Sequence, residues 1–345
     1  MSKRWWGVRV LWRLFGVVLI GWVMLSPLFE YNDPLRAAAM TVPLQGVSFS
    51  SHSAGVAQSS PPRYLIITPD ELVAPLAGYV AAKRGQGYDV IVQTLSQTGS
   101  TAAQIRAVIV SYSPQFLLLV GDVDLLPAWE SRNGLTTPTD LYYATLGGVW
   151  DYTPDLAYAR LPVHSTAELQ AVLSKWAAYE ALDGSQAWLS RAAFIASGAA
   201  DDRQTAESTH NQIIEAYTAP GGFGGQFPQD PQPGGDRLYA YSHAAGTADV
   251  LAALNAGRGL AVCFGQGGVL GWNSPYFTIS HVQSLNGPPL PLLVSFASRN
   301  ALLSPNQMSF GEAWLLQPGS GALALIAPGD LTDRDESSRL EAELF

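Results

Sequence analysis

The chain has 345 residues, 48% hydrophobic and only 14% charged, so it can bury a sizeable core and does not fall in a disordered class. Its net charge is −9 and no basic run follows the first fifteen residues. That excludes a nucleic-acid partner, because phosphate binding needs a clustered cationic surface. The one cysteine, Cys263, excludes an internal disulfide and any cysteine-based zinc site. None of the five histidines (His52, His164, His210, His243, His281) pairs with another at helical spacing, so no dedicated transition-metal site is expected.

Lys3, Arg4, Arg9 and Arg13 precede the uncharged stretch Leu14 to Phe29, the pattern of a secretory signal or an N-terminal membrane anchor over residues 1–40. Ala37-Ala38-Ala39 offers small residues for cleavage. Either way the remainder is expected to be exported, touching the membrane only through this segment. Residues 41–62 read as a flexible linker, Ser/Gly/Pro-rich from Gly46 on.

The folded part is expected to begin at Arg63. "RYLIITP" (63–69), "YDVIVQTL" (88–95) and "QFLLLVGD" (115–122) are short apolar strands, separated by helical spacing over 70–85 and 102–112. "TDLYYATL" (139–146) and "PDLAYARLPV" (154–163) follow, then a helix over 166–179 opened by Ser165 and Glu168. A second series starts at "RAAFIASG" (191–198), with a helix over 205–217 and a Gly/Pro-rich loop over 219–236. Next come "RLYAYSH" (237–243), a helix near 246–256, "GLAVCFG" (259–265), "LPLLVSFAS" (290–298), a helix near 309–316 and "GALALIAP" (321–328). Strands alternating with helices predict an α/β protein with mainly parallel sheets.

Taken in order, "YLIITPDEL", "LLLVGDVDLLP", "TDLYYATL", "PDLAYARLPV", "GQGGVLGW", "LPLLVSFAS" and "SFGEAWLLQPGSGALALIAP" resemble the catalytic domain of the gingipain family of cysteine peptidases. The resemblance implies two consecutive three-layer α/β/α subdomains, over 63–185 and 186–345, the second caspase-like and carrying the catalytic positions. Catalysis there would be thiolate attack on a peptide carbonyl, assisted by histidine, at the carboxyl ends of the strands. Family members carry the histidine in a Gly-His-Gly-Ser turn before a tryptophan, and the cysteine at the end of the next parallel strand.

Carried over by position, the histidine becomes Gln266, with Trp272 in the tryptophan's place, and the cysteine becomes Ser298. The acidic residue of some members would fall at Ala199, with Asp201 and Asp202 close enough to substitute. A neutral amide cannot take a serine proton, so the resemblance implies a catalytically inactive domain that binds peptide or protein. The alternative is an active endopeptidase with an unconventional catalytic set using Ser298, for which His243, expected at a strand end, is a better base than His281. Cys263, inside its strand, reads as a buried, inert thiol.

The resemblance also implies that structural calcium could be held by Asp122, Asp124, Asp140, Asp151 and Asp155, although the favoured reading of these residues is as turn-forming and capping aspartates. The chain stops at "SSRLEAELF", where relatives continue through another helix, so the second subdomain is expected to be short at its C-terminus.

Overall fold

The computed structural model describes residues 22–25, 60–130, 137–147 and 151–345. Four short apolar runs form the first sheet: β2 (Arg63–Thr68), β3 (Asp89–Thr94), β4 (Phe116–Val120) and β5 (Ala157–Leu161). They pair in the order β3-β2-β4-β5, all parallel. Alternation sends neighbouring side chains to opposite faces. Tyr64, Ile66, Leu118 and Val120 pack under α1 (Ala77–Gly85) and α3 (Thr166–Glu180). Leu65, Ile67, Leu117 and Leu119 pack under α2 (Ala102–Tyr112). Both faces are therefore covered, which is why these strands read as continuous hydrophobic runs.

The second sheet repeats this logic with β6 (Ala192–Ala196), β7 (Asp236–Tyr239), β8 (Leu260–Phe264), β9 (Leu292–Phe296) and β10 (Leu325–Pro328). A further four-residue strand, β1 (Trp22–Leu25), pairs with β10. The order is β1-β10-β9-β8-β6-β7, parallel throughout. One face packs against α5 (Thr247–Asn255) and α6 (Phe310–Leu316), the other against α4 (Arg203–Ile213). The architecture is two α/β/α units in succession, as the strand–helix alternation predicts.

The two units are joined through side chains. Lys175 of α3 donates from Nζ to the carbonyls of Leu315, Gln317 and Ser320, at 2.8, 3.1 and 3.1 Å. Thr137 Oγ1 donates to Asp330 Oδ2 at 2.6 Å.

Several expected elements differ in extent. The strand expected over 237–243 ends at Tyr239, and His243 lies in the turn beyond it. The helix expected over 205–217 starts at Arg203 and widens to a π-turn over Ile214–Thr218. The long glycine-rich loop folds back on itself, pairing Gly224–Gly225 with Gln232–Pro233. The chain ends in α7 (Arg334–Leu344), capped by Asp333, which packs against α4. There the buried Glu341 Oε1 lies 3.2 Å from His210 Nε2, and Thr209 hydrogen-bonds Ser338. The second sheet thus has a helix after β10 over its His210 face.

Apart from Trp22–Leu25, the expected signal or anchor and the 41–59 part of the linker lie outside the described residues. No helix among the described residues is long and apolar enough to cross a membrane.

Candidate functional site

In parallel sheets the carboxyl strand ends of one edge face together, and loops leaving them form the ligand crevice. Strands β8 and β9 are neighbours, with Phe264 opposite Phe296. Gln266 and Ser298 each follow two residues later, so both lie just past the carboxyl ends of these neighbouring strands. The Gln266 side chain is exposed, and Ser298 is half-buried.

The turn carrying Gln266 needs its glycines. A Cβ on Gly265 would meet Ser197 Cβ at 2.5 Å, and one on Gly267 would meet Ala297 Cβ and the Gly271 carbonyl at 2.9 Å. Gly271 has φ +151°, and a Cβ there would run into the Phe277 backbone. The turn forms a small antiparallel sheet, Gly267–Gly268, Gly271–Asn273 and Tyr276–Thr278.

A buried polar chain pins that sheet to β9. Trp272 Nε1 donates to Ser295 Oγ (3.0 Å), which donates to Asn300 Oδ1 (2.7 Å). Asn300 Nδ2 in turn donates to the carbonyls of Gly268 (2.8 Å) and Gly271 (3.3 Å). Trp272, expected at the cleft, therefore stands beneath it. Its ring is buried against Phe277, Phe310 and Trp314, because a ring this large is best accommodated in the core.

The Ser298 hydroxyl accepts the Thr332 N–H at 3.1 Å and lies 3.1 Å from Thr332 Oγ1. Arg299 follows with φ +58°, its N–H donating to the Asp330 carbonyl and its Nε to Asp330 Oδ1. No basic side chain among the described residues hydrogen-bonds the hydroxyl. His243 ends its turn beyond β7, with β6 and β8 standing between that strand and β9. Three strand spacings amount to roughly 14 Å, out of reach of a proton transfer. Its ring packs instead on Tyr239 and Phe227. His281 caps its own helix, its Nδ1 accepting the Thr278 N–H at 3.0 Å.

The two aspartates after β6 are divided in their roles. Asp201 is exposed, and its carbonyl accepts from Arg334 at 2.9 Å. Asp202 is buried and turned toward the Gln266 loop. Burial and the neighbouring Asp201 push its carboxyl up, while Arg334, the Ser197 hydroxyl and the Gln266 backbone N–H act to lower it. Cys263 is fully enclosed, and burial pushes its thiol well up, which leaves it inert as expected.

Calcium can be tested against the donor set. Asp140 is committed to a buried bidentate pair with Arg160, both bonds 2.7 Å. Asp151 accepts the Gly147 and Thr153 N–H groups, and Asp155 accepts that of Leu146, as turn-forming residues do. Only Asp122 and Asp124 come together, and they share their space with the imidazole of His164. Among the described residues, no three carboxylates gather without a histidine among them.

The sequence profile of peptidase family C25 matches residues 57–345. The chain belongs to that family. Among solved structures, this family C25 chain is similar to one described as "Structure of Protease", at 22% identity and a TM-score of 0.70, over 82% of this chain and 63% of the other. It is also similar to the complex of Porphyromonas gingivalis RgpB pro- and mature domains, at 21% identity and a TM-score of 0.68, over 82% and 67%. A third is the Arg-specific cysteine proteinase gingipain R, at 19% identity and a TM-score of 0.67, over 85% and 70%. No curated protein sequence matches the chain. The fold is the gingipain fold, and the chain spans less than two thirds of the first of these structures.

Proposed function

We propose that this chain is an exported, non-catalytic member of peptidase family C25, in which the former catalytic crevice binds peptide or protein without cutting it. In this reading Gln266 and Ser298 take the places of the family's histidine and cysteine. The proposed organisation keeps a signal or anchor over 1–40, a linker over 41–62 and subdomains over 63–185 and 186–345. The observation that carries the reading is the state of Ser298. Its hydroxyl is held by Thr332, and the residue at the matching position after the paired strand is a neutral amide that cannot take a proton. Removing a triad member commonly costs about 10⁴–10⁶ in rate.

A binding role is supported by what remains around the pair. Leu270, on the turn after Gln266, and Leu331, beside Thr332, are 54% and 60% exposed. Exposed apolar side chains in the segments that carry these hydrogen-bonding groups suit an extended peptide. The RgpB complex, in which a pro-domain is bound to the mature domain, adds support for protein as ligand.

The test incubates the full chain with a diverse peptide pool, reading cleavage by mass spectrometry and retention by gel filtration. A Ser298→Ala variant runs alongside. Retention of a subset of peptides without cleavage is expected, weakened by Leu331→Asp. Cleavage that disappears in Ser298→Ala would overturn the reading in favour of an active serine-dependent endopeptidase.

A further inference from the structure

Away from the Gln266–Ser298 crevice, adjacent strands of the first sheet place a second chemical cluster at their carboxyl ends. Asp122 and Asp124 follow β4, and His164 follows β5. The Asp122 N–H donates to the Val163 carbonyl at 3.1 Å, so the sheet itself sets the spacing. One donor atom from each side chain lies within 4.8 Å of the other two. His164 Nε2 is 3.1 Å from Asp122 Oδ2 and 3.9 Å from Asp124 Oδ1.

One further observation points to a ligand. Asp122 is 1% exposed, and its Oδ1 is buried with no hydrogen-bond partner among the described residues. A buried carboxylate with an unused oxygen normally has a cation or a donor to face. On the other side of the ring Nδ1 lies 3.7 Å from Glu168 Oε2, a carboxylate that accepts the His164 backbone N–H at 2.7 Å. Asp124 and His164 are each 39% exposed at the side chain, which leaves a way in from solvent.

We propose that Asp122, Asp124 and His164 form a binding site for a divalent first-row transition cation, of the zinc or manganese kind. One imidazole and two carboxylates match that class, whereas calcium takes oxygen ligands alone. The remaining coordination positions would go to water. The site joins the ends of β4 and β5, so the cation would brace the first sheet where it meets the second unit.

The experiment uses the full chain without a histidine tag, dialysed against zinc or manganese chloride alone and then analysed for metal content. About one equivalent is expected, together with a rise in melting temperature and retention in excess calcium. His164→Ala and Asp124→Asn change partly exposed side chains, and their folding is checked by circular dichroism. Each should weaken binding at least about tenfold, since even the loss of an outer partner costs that much. Metal binding unchanged in both variants would overturn the proposal, as would displacement by calcium. So would a His164→Ala variant that loses stability in a chain binding neither metal, which would leave an ion pair in place of a metal site.

Discussion

Gln266 and Ser298 stand at equivalent positions, each two residues past the paired Phe264 and Phe296 on neighbouring parallel strands. Strand pairing thus sets two positions that are 32 places apart in the sequence just past the ends of neighbouring strands. Placing a histidine and a cysteine at these positions tests directly the reading that they correspond to the family's catalytic pair. Ser298→Cys alone should give a slowly alkylated thiol at pH 7. Adding Gln266→His should speed iodoacetamide modification about tenfold or more, because an imidazolium beside a thiol favours the thiolate. Wild-type protein provides the blank, since Cys263 is buried. Equal rates in the single and double variants would mean the two positions do not communicate.

Asn300 holds the glycine turn to β9 through Ser295 and the carbonyls of Gly268 and Gly271. Asn300→Ala would leave these buried groups short of partners at a cost of about 2–4 kcal/mol. Urea unfolding should show that loss. A change below about 0.5 kcal/mol would mean the chain of hydrogen bonds is dispensable.

Arg160 is fully buried and satisfied by Asp140 and by the carbonyls of Gly121 and Leu126. Arg160→Met should cost about 3–5 kcal/mol, because Asp140 would be left charged and unpaired. The double change Arg160→Met with Asp140→Leu should recover part of that loss. Additive effects of the two substitutions in thermal unfolding would contradict a coupled pair.

Glu312 is buried in α6, where burial first and nearby Asp122 second push its carboxyl up to about 8 from an ordinary 4.5. The folded state thus keeps a proton that the unfolded chain releases. Its contribution to stability is fully present below about pH 4.5 and is lost as the pH rises to about 8. Glu312→Gln keeps an acceptor for the Ser309 N–H, now bound at 2.6 Å, and removes the titration. The variant should be the more stable protein at pH 8 and nearly equal to wild type at pH 4.5. Parallel melting-temperature profiles across that range would contradict this.

The sequence by itself determined the strand–helix alternation and the two-unit α/β fold, and it singled out Gln266 and Ser298 as the positions to compare with the family's catalytic pair. Each is written locally, in apolar runs, turn glycines and ordered motifs whose periodicity survives without a structure. Tertiary structure decided which neighbours those residues acquired. Trp272 reads as a cleft residue by its place after the turn, yet the polar chain through Ser295 and Asn300 draws its ring into the core. His243 reads as a base at a strand end, yet strand order sets it at the far edge of the sheet. Asp122 and His164, forty-two positions apart, meet only because β4 and β5 pair in parallel. Spacing along a chain reports contacts within one helix or strand, whereas contacts between strands depend on sheet order and register, which form only when the whole sheet does.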